Sequence, residues 1–503
     1  MKAFIQSPRA AIAAALAAGA LTVAGYAPLA LFPLPFLTLA GLLFIWRRSA
    51  TPRAGFWTGF AFGAGLFGVG ASWVYVSLHD FGMMPAPLAA VGTLAYCAIL
   101  SLYPAAAGWC FARLRLGLLV SALIAFPALW TFFEWLRGWV FTGVSWLALG
   151  YSQVDSPLGG FAPVAGTYGA SFVTALCAGL LFILISGSRR ARLAGAAALI
   201  LVFGCGQLLK EIDWTSPEGA PLKVALLQGN IPQDMKFQAD RYATTLAIYK
   251  RLIEASQAQL IVLPETAIPR FLDTVDPGYL KGIAKIAMER HADILIGVPI
   301  RDSEGRYFNS VVSVGASPSQ RYDKSHLVPF GEFVPWGFGW IVKTFAIPLS
   351  DFSLGSKSAK PLALAGQLVA PNICWEDAFG EEIIRQLPQA TLLANVSNVA
   401  WFGDSLAPAQ HLQISRMRAL ETGRFMLRAT NTGMTAIIDP RGRVIARLPQ
   451  YTEGVLTGEV QGYAGATPYV KLGNYPIVLA CLALIAALAF RRARIVGRAR
   501  ESR

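Results

Sequence analysis

The 503-residue chain carries only 14% charged residues against 55% hydrophobic ones, with a net charge of +14. That balance excludes an ordinary soluble globular protein and points to a membrane protein. The surplus of positive charge alone would suggest nucleic acid, so its distribution along the chain decides.

Residues 1–210 read as an N-terminal membrane bundle. Apolar stretches near the length that crosses a bilayer are predicted at about 10–25, 28–46, 55–78, 86–111, 117–136, 161–187 and 193–209, and an eighth at about 473–490. Pro28, Pro33 and Pro35 crowd the turn between the first two. The first, Ala-rich segment is read as an uncleaved span, because removing it breaks the even number of crossings. Glu134 and Arg137 fall at the outer end of the fifth span, placed to pair with each other, to meet a lipid headgroup or to anchor the bundle.

The basic residues occupy alternate loops: Lys2 and Arg9; Arg47, Arg48 and Arg53; Arg113 and Arg115; Arg189, Arg190 and Arg192; and Arg491, Arg492, Arg494, Arg498, Arg500 and Arg503. Sixteen positive charges less Glu501 give +15, which leaves 14 − 15 = −1 for the rest of the chain. Basic loops stay in the cytoplasm. Both termini are therefore expected inside, and the long segment between spans seven and eight outside. The usual footprint of nucleic-acid binding, a basic patch on one folded domain, is missing, so no nucleic-acid partner is expected.

From 217 to 468 the texture changes to short β-rich runs alternating with amphipathic stretches. Strands are predicted at 222–229, 260–265, 293–299, 308–315, 368–374 and 391–397, and helices over about 239–257, 277–290, 379–386 and 406–421. The alternation predicts a layered α/β domain of about 250 residues, with its chemistry at the strand ends. A closing span (469–492) and a basic tail (493–503) follow.

Five of the six cysteines, Cys97, Cys110, Cys177, Cys205 and Cys481, fall in predicted spans. Cys374 stands alone in the water-facing domain, with no disulfide partner there. An unpaired cysteine in such a compartment is either buried or used, and its sequence position leaves both open. A nucleophilic thiol needs a base and an oxyanion donor. Glu265 ends the strand of LPETAIP, and Lys324 and Glu332 lie eight residues apart in YDKSHLVPFGEFVP. Each has an ordinary alternative: a helix N-terminal acid for Glu265, and a solvated cation for Lys324. Glu376 and Asp377 equally suit a first helical turn. His326 and His411 are rival bases better suited to structural roles, and no cluster has metal-ligand spacing.

Taken in chain order, LPET with Glu265, DKSHLVPFGEFVP with Lys324, and NICWED with Cys374 resemble the Glu, Lys and Cys motifs of the nitrilase superfamily. With the flanking spans, QGNIPQ (228–233), FEWLRGWVFTGVSWLALGYSQ (133–153) and AWFGD (400–404), the chain resembles the apolipoprotein N-acyltransferase family. Phe237 stands where that family more often has Trp, Trp375 where Tyr is commoner, and Val399 interrupts a stretch that usually reads Asn-Asp-Ala-Trp.

The resemblance implies a multi-span helical bundle of about eight spans, joined to an extracytoplasmic αββα sandwich. It places the chain in a bacterial inner membrane with its catalytic domain periplasmic. It implies ping-pong acyl transfer from a phospholipid, through a Cys374 thioester, to the α-amino group of diacylglyceryl-modified apolipoproteins. Glu265 is then the base and Lys324 the oxyanion donor, supported by Glu332, Glu376 and Asn309; no cofactor or metal is called for. Phe237, Trp336, Trp340, Trp375 and Trp401 are candidates for substrate contact or gating. The aromatic segment 333–349 suits an arm at the membrane interface. A membrane-tethered amidase or nitrilase uses the same three residues, but a small polar substrate needs no such spans. A transporter with a binding domain would show more polar groups within its spans.

Overall fold

A computed structural model of the chain describes residues 7–334 and 351–501. It resolves into two compact units, Met1–Tyr75 with Ala86–Ile212 and Lys471–Arg503, and Val76–Pro85 with Asp213–Val470.

The first unit is helical: α1 (Pro8–Thr22), α2 (Leu34–Arg48), α3 (Pro52–Gly70), α4 (Ala86–Leu114), α5 (Phe126–Arg137), α6 (Ala162–Ser186), α7 (Arg189–Glu211) and, near the C-terminus, a helix over Tyr475–Glu501. Among the described residues six helical segments suffice by length and composition to cross a membrane, and a seventh is counted if Pro52–Gly70 and Trp73–Phe81, bent by 51°, form one span. The predicted span at 28–46 is realised as only the 15 residues of α2. Pro33 and Pro35 explain its late start, since proline is tolerated in a first helical turn but not farther in.

Glycine sets the packing of this unit. A Cβ at Gly55 would overlap the carbonyl of Gly108, one at Gly59 that of Pro104, and one at Gly63 would come 2.8 Å from Ser101 Cα. The small residues repeat every four positions, so α3 lies backbone to backbone against α4. This is how helices gain contact where no hydrophobic effect drives them together. Glu134 and Arg137 are buried but are not joined as an ion pair. Glu134 accepts from Leu149 N at 2.9 Å and Trp130 Nε1 at 3.3 Å, and Arg137 Nη1 donates to the carbonyls of Val144 and Trp146, both at 2.6 Å.

The second unit is an αββα sandwich of two six-stranded sheets, ordered β12 (Gly454–Ala464), β1 (Ser216–Gln228), β2 (Leu260–Val262), β3 (Asp293–Arg301), β4 (Tyr307–Gly315), β5 (Arg321–Asp323) and β11 (Val444–Arg447), β10 (Ala436–Ile438), β9 (Met426–Thr430), β8 (Leu392–Ser397), β7 (Gln367–Ile373), β6 (Leu362–Leu364). The central pairings β1 (Ser216–Gln228) with β2 (Leu260–Val262), β2 with β3 (Asp293–Arg301), β7 (Gln367–Ile373) with β8 (Leu392–Ser397) and β8 with β9 (Met426–Thr430) are parallel. Strand alternation builds the layers. Leu222, Val224 and Leu226 of β1 meet Val369, Leu392, Ala394 and Val396 between the sheets. Ala225 and Leu227 face Leu246, Tyr249 and Ile253 of helix α8 (Tyr242–Ala255) on the outside. On the opposite outer face Leu393 packs with Leu412 and Ala419 of helix α9 (Ala407–Thr422).

The six predicted strands and four predicted helical stretches of this region each contain a helix or strand of the expected type. Strands β6 (Leu362–Leu364), β9, β10 (Ala436–Ile438), β11 (Val444–Arg447) and β12 (Gly454–Ala464) were not expected, whereas β5 (Arg321–Asp323) is the short extended segment read directly before Lys324. Val76–Pro85, read from sequence as the end of a span and a loop, packs with this unit: Ser77 Oγ donates to Trp401 O at 2.8 Å and the Phe81 ring meets that of Trp401 edge-on.

The loop after β2 lies directly on β3, so that a Cβ at Gly297 would sit 2.7 Å from Glu265 Cα. Gly297→Ala is expected to cost about 1–3 kcal/mol through overpacking and to displace Glu265. Thermal unfolding in detergent, together with the alkylation rate of Cys374, checks both parts.

Candidate active site

Parallel strands deliver side chains to one end of the sandwich. Glu265 follows β2 by three residues, Cys374 immediately follows β7, and Asn398 immediately follows β8. Two of these junctions use a left-handed backbone: Cys374 has φ 57° and Thr266, next to Glu265, has φ 50°. That conformation costs a side-chain-bearing residue about 1–2 kcal/mol, and such strain persists where the surroundings over-determine it.

At Cys374 the surroundings do so. Asn395 Nδ2 donates to Cys374 O at 2.9 Å and to Asn372 Oδ1 at 2.7 Å. Arg428 Nη1 holds Asn395 Oδ1 at 2.6 Å and lies 3.4 Å from Asp377 Oδ2. Asp377 also binds His411 Nε2 at 2.8 Å and accepts a short hydrogen bond from Ser415 Oγ. Burial raises the Asp377 carboxyl, but His411, then Arg428 and Ser415, more than reverse this and hold it below its ordinary value. An ion-paired network thus lies under the turn that presents the thiol.

Glu376 performs a second fixing role. Its carboxylate accepts from Ile373 N and Ser325 N, both at 2.6 Å, from His326 N and Tyr322 OH, both at 3.0 Å, and from Ser325 Oγ at 3.1 Å. It thereby joins the Cys374 turn to the segment that begins at Lys324. Burial raises its pKa, which the Ile373 amide and Lys324 offset only in part.

The charged centre is compact. Lys324 is 1% exposed, and its Nζ lies 2.9 and 2.8 Å from the two oxygens of Glu332 and 3.6 Å from Glu265 Oε1. Asn309 Nδ2 bridges Glu265 Oε1 and Glu332 Oε1 at 2.7 Å each, and Asn398 N donates to Glu265 Oε2 at 2.8 Å. Burial raises the Glu265 carboxyl, yet Lys324, Asn309 and Lys236 bring it below its ordinary value. Burial lowers the Lys324 ammonium, and Glu332 and Glu265 overcome that and raise it. The thiol of Cys374 is pushed well up, by burial first and then by Glu265, with Lys324 opposing. These directions favour a neutral thiol beside an ionised carboxylate.

The six residues Glu265, Asn309, Lys324, Glu332, Cys374 and Glu376 share one electrostatic and hydrogen-bonded centre. Trp375 is half-buried beside it, packed edge-on against His326 and Phe379, and donates from Nε1 to His326 O at 3.4 Å. Phe237 is 47% exposed, and Trp401 packs on Phe81. Trp336 and Trp340 lie outside the described residues, as does all of the predicted arm beyond Val334. The Val399 side chain takes no part in the bond to Glu265 Oε2, which comes from the main-chain N–H of Asn398.

Sequence reasoning missed Lys236, Asn395, Asn398 and Arg428. Arg428 carried a signal, a charged residue inside the apolar strand MLRAT. Lys236 had one as well, next to the marked Phe237 and three residues beyond QGNIPQ.

A carboxylate, an ammonium and a thiol gather at strand ends of an αββα sandwich, and residues 223–469 match the family described as Carbon-nitrogen hydrolase. Residues 18–180 match the Apolipoprotein N-acyltransferase N-terminal domain. The chain is 52% identical over 478 residues to the apolipoprotein N-acyltransferase of Nitrosomonas europaea, covering 94% of this chain and 95% of that one. It is 47% identical to that of Chromobacterium violaceum, covering 94% and 92%, and 46% identical to that of Ralstonia nicotianae, covering 95% and 94%. The chain belongs to the apolipoprotein N-acyltransferase family.

Glu376→Gln turns an amide NH2 towards donors that now meet a carboxylate. A loss of about 1–3 kcal/mol is expected, read as an earlier denaturant midpoint. Cys374 alkylation should become faster as the turn loosens.

Proposed function

We propose that the protein transfers a fatty acyl chain from a membrane phospholipid to the free α-amino group of the diacylglyceryl-cysteine at the N-terminus of apolipoproteins. The observation that carries this reading is the buried Glu265–Lys324–Glu332 centre beside Cys374, in a chain of this family with membrane-length apolar helices. In the first half-reaction Glu265 takes the thiol proton, and sulfur attacks an ester carbonyl of the phospholipid. The oxyanion is held by Lys324 and by a backbone N–H beside Cys374. Collapse expels a lysophospholipid, whose alkoxide takes the proton back from Glu265, and leaves a thioester.

In the second half the α-amino group attacks the thioester carbonyl. Glu265 accepts a proton from the nitrogen and returns it to the departing sulfur, giving an amide and free Cys374. Glu332 and Asn309 orient the cation and the base, and Glu376 holds the Lys324 segment to the nucleophile turn. Phe237, Trp375 and Trp401, with Trp336 and Trp340, are proposed contacts for the lipid chains.

The topology proposed with this function has about eight spans, α2 and the bent α3 segment each included, in a bacterial inner membrane. Both termini lie in the cytoplasm and the catalytic domain, 217–468, in the periplasm, a reading supported by the basic loops.

Intact-mass analysis after incubation with phospholipid alone tests the first step. A fatty-acyl increment labile to neutral hydroxylamine and mapped to Cys374 is expected, absent in Cys374→Ser and strongly reduced in Glu265→Gln. Addition of a diacylglyceryl peptide should discharge it to the peptide's amine. A folded protein that never acylates yet releases ammonia from small amides would instead establish the tethered amidase.

A further inference from the structure

The charge balance of the centre exposes a residue without a role in the steps above. Glu265 and Glu332 against Lys324 sum to −2 + 1 = −1. Moving the thiol proton to Glu265 relocates a negative charge to sulfur, so the total with Cys374 included stays at −1. A net negative cluster in a water-poor site opposes thiolate formation.

Lys236 supplies the missing charge. It is 2% exposed, and its Nζ donates to the main-chain carbonyl of Glu265 at 3.1 Å. Among the described residues no carboxylate forms an ion pair with it, in contrast to Lys324 with its two. A buried ammonium held by a single neutral acceptor is costly unless something nearby needs the charge. The neighbours that feel its charge are Glu265 and Cys374, both of which favour the charged ammonium, while burial brings it down to about 8.

The segment around Lys236 is built to keep it there. Lys236 N donates to Gln233 O, Gln233 Oε1 accepts from Asn398 Nδ2 at 2.7 Å, and Asn398 N reaches Glu265 Oε2. Asn431 closes the frame, donating to Ile231 O at 2.7 Å and to Asn398 Oδ1 at 3.2 Å. The other charged groups around the nucleophile are already matched: Asp377 with His411 and Arg428, and Glu376 with its ring of donors.

We propose that Lys236 is a second cation of the acyl-transfer site, a positioning residue that fixes Glu265 through its carbonyl and whose uncommitted charge lowers the cost of forming the Cys374 thiolate. This rests on Cys374 as the nucleophile.

The test uses the full chain in detergent and two variants. Lys236→Met removes charge and hydrogen bond, and Lys236→Gln keeps a donor but no charge. Iodoacetamide alkylation of Cys374 is measured against pH, alongside single-turnover acylation from phosphatidylethanolamine micelles. Both variants are expected to alkylate about tenfold more slowly at neutral pH, with the profile moved about one unit to alkaline, and to acylate correspondingly slowly. A profile that keeps the wild-type midpoint in a folded Lys236→Gln would overturn the proposal, even if the rate fell. If Lys236→Met does not fold, Lys236→Gln decides alone. If wild type alkylates but never acylates, the acyl-enzyme reading falls, while the shift in the alkylation profile still decides the role of Lys236.

Discussion

The buried ammonium of Lys324, shared between Glu332 and Glu265, is the interaction around which the catalytic unit is organised. Two carboxylates and a cation placed out of water are tolerable only if their geometry is held firmly and their remaining lone pairs are met. The fold meets that demand with main-chain groups and amides. Asn309 bridges both acids from the strand Tyr307–Gly315, Asn398 N closes the free oxygen of Glu265, and Val328 N donates to Glu332 Oε2 at 2.8 Å. A site so constrained has little reorganisation left to do when charge moves within it.

Much of this centre was legible in the sequence because strand ends are legible. Glu265 and Cys374 each close a short apolar run, and Lys324 with Glu332 sits in a Pro/Gly-rich loop that no core would require. The supporting network was less visible for a physical reason. Asp377 looks like an ordinary acid of a first helical turn, and His411 like one polar residue on a helix. Their function appears only when β9 brings Arg428 underneath them, and β9 to β12 were not read as strands. Those strands are short or half-exposed, and MLRAT has a guanidinium where apolar alternation was sought. The pairing of β1 with β12, residues more than 200 apart, is likewise invisible to local periodicity.

The two units solve opposite problems of contact. Between the sheets, branched apolar side chains interdigitate and exclude water, so the frame around the charges is stiff. In the helical unit, glycines 55, 59 and 63 remove side chains so that backbones touch, and hydrogen bonds from Arg137 to the Val144 and Trp146 carbonyls hold an irregular segment that no helix could satisfy. The sequence texture of each part, β-branched runs in one and small-residue repeats in the other, follows from that difference.

The ten residues Val76–Pro85 belong by packing to the catalytic unit although both neighbours in the chain are helices of the other. Their contact is with Trp401, three residues beyond the Asn398 amide that holds Glu265. The catalytic module is therefore not colinear with the chain. No single excision isolates it whole, and a recombination boundary placed between the two halves of the sequence would separate a parent's Trp401 turn from the segment shaped to meet it. Chimeras within the family inherit that pair intact only when both pieces come from the same parent.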